Sequence, residues 1–169
     1  TFGQWPWRRE LIGRLVANLR SLGADVVGLD MVFAEPDRFE PSPLAVAGGS
    51  GVGGQPTAPT RSDLAFANVL TGGGVVLGYA MTFDMRPDDA ASRCLLHPID
   101  LPVLHGESEA PASPFFRASG VICNLPELAR AAGSSGFLNA APDEDGILRR
   151  VPLFIEHGGR VYPGLALAV

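Results

Sequence analysis

The longest hydrophobic rhythm in the chain runs from Trp7 to Leu22. There Leu11, Ile12, Leu15, Val16, Leu19 and Leu22 recur at helical spacing, while Arg8, Arg9, Arg14, Asn18 and Ser21 fall elsewhere. Such a stripe predicts a helix that packs one face onto a core. Pro6 stands near its first turn and Gly23 where a left-handed cap belongs. Val26-Val27-Gly28-Leu29 follows at once, apolar without alternation, as in a strand buried on both faces of a sheet. Asp30 closes that run, and Glu35 and Asp37 come within one loop's reach. Ligands in open α/β sheets tend to sit beyond the carboxyl ends of such strands. The helix–strand order then repeats. Ser62 is the expected N-cap of a short helix carrying Leu64, Phe66, Ala67 and Leu70, ended by Gly72-Gly73-Gly74, and a second strand runs from Val75 to Tyr79 or on to Phe83. A further short helix is predicted over residues 126–132, with Gly133 behind it.

The last block changes rhythm. Residues 136–140, 147–155 and 160–162 read as strands, separated by the turn chemistry of Pro142-Asp143-Glu144-Asp145-Gly146 and His157-Gly158-Gly159, with a helix from Pro163. On the middle strand Arg149 would share a face with Ile147, Val151, Leu153 and Ile155 unless a bulge near Pro152 changes the parity. The fold class expected is α/β: a mixed central sheet with helices on its faces and a C-terminal antiparallel β-meander.

Composition narrows this picture. At 169 residues, 46% hydrophobic and 18% charged, the chain suits one globular domain. With 21 glycines and 15 prolines, two long loops are expected, 36–61 and 84–114, which hold ten of the prolines, the second with short strands around Leu95 and Val103. No Gly-Lys-Ser/Thr follows the glycines of the first loop, so it is not a phosphate cradle. A net charge of −5 with no basic run argues against nucleic acid or an anionic membrane surface as partner. All basic side chains are Arg, which reads as compositional bias. No stretch reaches the roughly 18–20 apolar residues of a membrane span. The chain reads as a fragment of a longer protein that holds the membrane segments.

Cys94 and Cys123 cannot form a four-ligand zinc site; a disulfide and two buried thiols both remain open. His97, His105 and His157 lack metal-ligand spacing, and Ser134-Ser135-Gly136 is not a nucleophile elbow. Asp143-Glu144-Asp145 begins like a calcium loop but fails at Ile147, Leu148 and Arg149, so a tight turn is expected.

The order of pieces resembles the second type of CHASE domain. The carriers are Trp5-Pro6-Trp7-Arg8, Gly28-Leu29-Asp30-Met31-Val32-Phe33 with Glu35-Pro36-Asp37, and Gly136-Phe137-Leu138-Asn139. They continue with Pro142 through Leu153 and Tyr162-Pro163-Gly164-Leu165-Ala166. They span nearly the whole chain. The resemblance implies a single sensory domain, periplasmic or extracellular, tethered by membrane helices outside this chain. It also implies a cytoplasmic adenylate or guanylate cyclase or a histidine kinase as output. Thr1–Arg20 and Tyr162–Val169 would be the mechanical connections to it. It brings no family-wide ligand.

Candidate contacts to an unknown small molecule are Asp30, Phe33, Glu35, Asp37, Asn139 and Arg149. Against this stand bland roles: Asp30 capping a turn or pairing with Arg149, Glu35 and Asp37 solvated, Asn139 bonding nearby backbone. No catalytic residue, metal or cofactor is expected. Two other classes compete, a metal-assisted hydrolase using Asp30, Glu35 and Asp37, and a ligand-free module whose business is pairing with a second copy.

Overall fold

The computed structural model describes residues 6–40, 58–83, 94–100, 115–140 and 143–169. Trp5, the strand expected near Val103 and most of the two long loops lie outside them.

The fold is α/β, built around strand β2 (Val75–Thr82). Its first half pairs in parallel with β1 (Val27–Leu29) and with β5 (Ser135–Phe137). Leu77 is opposite both Leu29 and Ser135, so these two strands occupy opposite edges. The second half of β2 pairs antiparallel with β4 (Gly120–Ile122). A second sheet joins β3 (Phe116–Arg117), parallel, and β7 (Arg160–Pro163), antiparallel, to β6 (Phe154–His157).

Side-chain alternation gives the main sheet two unlike faces. Val27, Leu29, Val75 and Leu77 face helices α1 (Arg9–Ser21), α2 (Arg61–Leu70) and α3 (Pro126–Ala132), in one core with Ile12, Val16, Phe33, Phe66, Leu70, Leu125 and Leu128. Tyr79, Met81 and Phe137 continue that face into a second core shared with Ile155 and Tyr162 of the smaller sheet. The reverse face carries Gly28, Val76, Gly78, Ala80 and Gly136. Helix α4 (Leu165–Ala168) lies against it so closely that a Cβ at Gly136 would fall 2.5 Å from the Leu165 Cα. Only glycine permits that approach.

Most elements stand where the pattern placed them, and the exceptions have causes. The cap of α2 is Thr60, not Ser62. Asp63 Oδ2 accepts from the Thr60 N–H at 2.9 Å while Thr60 Oγ1 accepts from the Asp63 N–H at 3.1 Å, a reciprocal box. Along α1 the core takes Ile12, Gly13 and Val16, whereas Leu15, Leu19 and Leu22 turn outward. The segment near Leu95 forms no strand. The expected strand over 147–155 exists only from Phe154 onward. Before it the Ile147 carbonyl accepts from the Asp143 N–H at 3.0 Å, closing the turn, and Pro152 has no N–H for a ladder. The C-terminal strands are accordingly a hairpin, β6–β7, with β3 in the third place; β5 joins the main sheet instead. Cys94 and Cys123 are joined in a disulfide.

Candidate functional site

The acidic stretch after β1 does not form one open rim. Asp37, 3% exposed, turns inward onto two helix starts. Its Oδ2 accepts the Arg9 N–H at 2.9 Å and the Ser62 hydroxyl at 2.8 Å, and its Oδ1 accepts the Phe39 N–H at 3.1 Å. Burial pushes its pKa up, but the Arg9 and Phe39 N–H groups, the Ser62 hydroxyl and the Arg9 charge outweigh it and hold the carboxyl below its usual range. Asp63, fully buried, accepts the Asp37 N–H at 3.0 Å and pairs through Oδ1 with Arg9 Nε at 3.3 Å. The Arg9 guanidinium lies 4.5 Å from the Phe33 ring centroid. Glu35 offers Arg9 its carbonyl, at 3.0 Å, while its side chain is solvated.

Phe33, Glu35 and Asp37 therefore gather around a shallow cleft of about 290 Å³ whose buried carboxylate already has its partners. Asp30 stands apart, exposed, at a groove beside α4. Among the described residues no group of three His, Cys, Asp or Glu side chains converges as a metal site, so the hydrolase reading loses its constellation.

Arg149 does not meet Asp30. Its guanidinium grips Asp145, at 2.9 and 2.8 Å, and Asp143, at 3.0 Å, across the turn. These bonds to Asp145 and Asp143 raise the Arg149 pKa. The strand that would have carried it inward is absent, because the turn bond and Pro152 leave this stretch without a ladder.

Asn139 has a structural task beside any other. β5 ends at Phe137, and Leu138 adds one more bond to Tyr79. Asn139 then extends the pairing with its side chain: Oδ1 accepts the Met81 N–H at 2.7 Å and Nδ2 donates to the Met81 carbonyl at 2.8 Å. Across β2, Asn124 does the same service, accepting from the Phe33 N–H at 2.7 Å and donating to the Gly78 carbonyl at 2.8 Å. Nothing in the sequence singled Asn124 out.

A cavity of about 700 Å³ opens where the two sheets meet. Phe83 at the end of β2, Phe116 on β3, Ile155 on β6, Ala140, and Val151 and Pro152 from the unpaired stretch form an apolar wall, with Asn139, Asp143 and Arg150 as its polar groups. A second groove, about 410 Å³, shares Asn139, Ala140, Val151 and Pro152 with it and is completed by α4. Size and lining suit an organic molecule. Of the polar groups, Asn139 is committed to Met81, and Asp143 holds Arg149 at 3.0 Å and Arg150 at 3.4 Å. Arg150, solvated, keeps most of its donors free. Of these residues the sequence had singled out only Asn139 as a candidate contact; the lining comes from four separate places in the chain.

The structure is thus an α/β fold with a cavity between its two sheets. The chain belongs to the CHASE2 domain family, whose model matches residues 1–169. This is a family of extracytoplasmic sensory domains found with cyclases and kinases, and the domain itself is not catalytic. Searches of curated proteins and of solved structures return no match.

Proposed function

We propose that this chain is the ligand-sensing outer module of a membrane-tethered receptor with a cyclase or histidine kinase output, and that the cavity between the two sheets receives the ligand. The observation carrying this is the shared wall formed by Val151 and Pro152. One side of that stretch lines the cavity; the other lines the groove under α4. Just beyond it, the Leu153 carbonyl accepts the Gly164 N–H at 2.9 Å, and Gly164 is the N-cap of α4. A molecule that favours one position of the wall thereby biases the seat of α4, the differential contact a signal needs. The disulfide supports an oxidising compartment.

The lining favours a ligand with an apolar body and an acceptor group, a carboxylate above all, for the free donors of Arg150. The test is thermal unfolding with octanoate and phenylacetate, against the alcohols of the same skeletons. A saturable rise in Tm is expected for the acids and not for the alcohols, since ligand at a hundred times its Kd adds about 2.7 kcal/mol. Val151→Trp, which fills the cavity, should abolish the rise, and Arg150→Ala should level acids and alcohols. Acids that stabilise Val151→Trp as much as the parent chain would place their binding elsewhere.

A further inference from the structure

Helix α1 carries two apolar faces, and the fold uses one. Ile12, Gly13 and Val16 are buried, Gly13 against Phe66 and Val69 of α2. The last turn is pinned by Arg20 Nη1, which donates to the Val69 carbonyl at 2.8 Å. On the other side Leu15 is 45%, Leu19 37% and Leu22 84% exposed. The helix is thus held still while presenting leucines to solvent.

These residues follow a second rhythm. Leu11, Leu15, Asn18 and Leu22 are spaced four, three and four apart, the seam of a coiled coil. Between them lies a depression of about 270 Å³ lined by Trp7, Leu11, Arg14, Leu15 and Asn18. Leu11, Arg14, Leu15 and Asn18 stand at i, i+3, i+4 and i+7, the four corners of the hole that accepts one knob of a facing helix.

We infer that this seam is a docking surface for α1 of a second copy of this chain, in a parallel, in-register pair. Self-pairing follows from the seam being its own complement: leucine knobs and a leucine-lined hole occur on one surface, as a two-fold interface requires. Direction follows from Asn18. In a parallel pair it meets its own copy and both amides find a partner; in an antiparallel pair centred on the seam it would face Leu15 and leave an amide unpaired. No carboxylate lies on the seam. Arg8, which the repeat would bring there, sits instead 5.7 Å from the Phe39 ring centroid. Together with Trp7 and Leu11, the exposed leucines of two copies cover on the order of 1,000 Å², at the lower edge of a specific interface. The pair is therefore weak between free chains and strengthened wherever the chains are held side by side.

Analytical ultracentrifugation of the 169-residue chain from micromolar to millimolar concentration tests this. A monomer–dimer equilibrium is expected. Leu15→Glu should weaken it at least about tenfold, as for a central interface residue, with circular dichroism unchanged; should Leu15→Glu lose stability, Leu22→Glu at the most exposed position reads the same effect. Asn18→Leu should tighten association. On mild oxidation Leu15→Cys chains should cross-link to one another while Ala17→Cys chains, off the seam, do not. A chain that stays monomeric throughout, or a dimer indifferent to both glutamates, overturns the interface. Leu15→Cys chains that cross-link only to Asn18→Cys chains overturn the parallel arrangement.

Discussion

Asp37 joins the N-termini of two helices: it accepts the Arg9 N–H at the start of α1 and the hydroxyl of Ser62 in the first turn of α2. Replacing it by Asn puts an amide where acceptors are required. The loss expected for Asp37→Asn is about 1–3 kcal/mol, from a lost cap and an ill-matched buried group, read by urea unfolding at neutral pH. The pH dependence has a definite sign. The folded carboxyl titrates below its ordinary value of 3.8, so its contribution is fully present above that value and disappears as pH falls through the folded pKa. Acid unfolding of Asp37→Asn should therefore begin from a lower plateau and lose less between pH 4 and the folded pKa, about the range in which native carboxylates protonate. His97 acts in the same direction at higher pH. Burial lowers its pKa, so the unfolded chain takes up a proton first, and stability falls as pH drops below its ordinary 6.5 toward the folded value. At this scale the sequence identified Asp37 as a residue of interest but not its orientation, because a carboxylate turned inward and one turned outward are written identically.

At the scale of elements, the reverse face of the main sheet is the informative one. Gly136 is opposite Gly78 on β2, and α4 rests directly on it. Gly136→Ala introduces a Cβ 2.5 Å from the Leu165 Cα and 2.7 Å from its nitrogen, backbone atoms that cannot swing aside. We expect a destabilisation of about 1–3 kcal/mol, together with faster amide exchange over residues 164–169, because the strain is relieved by lifting α4. Val76→Ala, on the same face, should lower stability without that local exchange signature. Helices closed by glycine and strands with unbroken apolar runs were legible, since their signals are local. The stretch 147–153 was not. Its alternation looks like a strand, but a strand is a property of a pair, and Pro152 and the Asp143 turn remove the pairing.

Across the whole molecule the disulfide fastens the 94–100 segment to the end of β4, a sequence separation of 29. Ile99 bonds the Val161 carbonyl at 2.9 Å, and His97 Nδ1 lies 2.9 Å from Ser135 Oγ, so this segment touches both sheets. A closed loop of this length is worth roughly 3–4 kcal/mol in the chain-entropy account. Cys94→Ser with Cys123→Ser should lower the Tm by a corresponding amount, and dithiothreitol should bring the parent chain to the same value without affecting the double variant. The sequence left the bridge open because Cα separation is a tertiary quantity. The family resemblance, by contrast, was carried by short segments in the right order, and the match over the whole chain shows it.

What the sequence by itself determined is whatever depends on near neighbours: the helical stripes, the apolar runs, the glycine stops at Gly133 and Gly146, the α/β class and the family. Only the tertiary structure decided that Asp37 is internal, that Arg149 is claimed by its own turn, that the two cysteines are joined, and that Phe83, Phe116, Val151 and Ile155 line one cavity. The physical reason is range. Propensity and periodicity act within a few residues, whereas a buried carboxylate or a cavity exists only through groups that the folded chain brings together from distant positions.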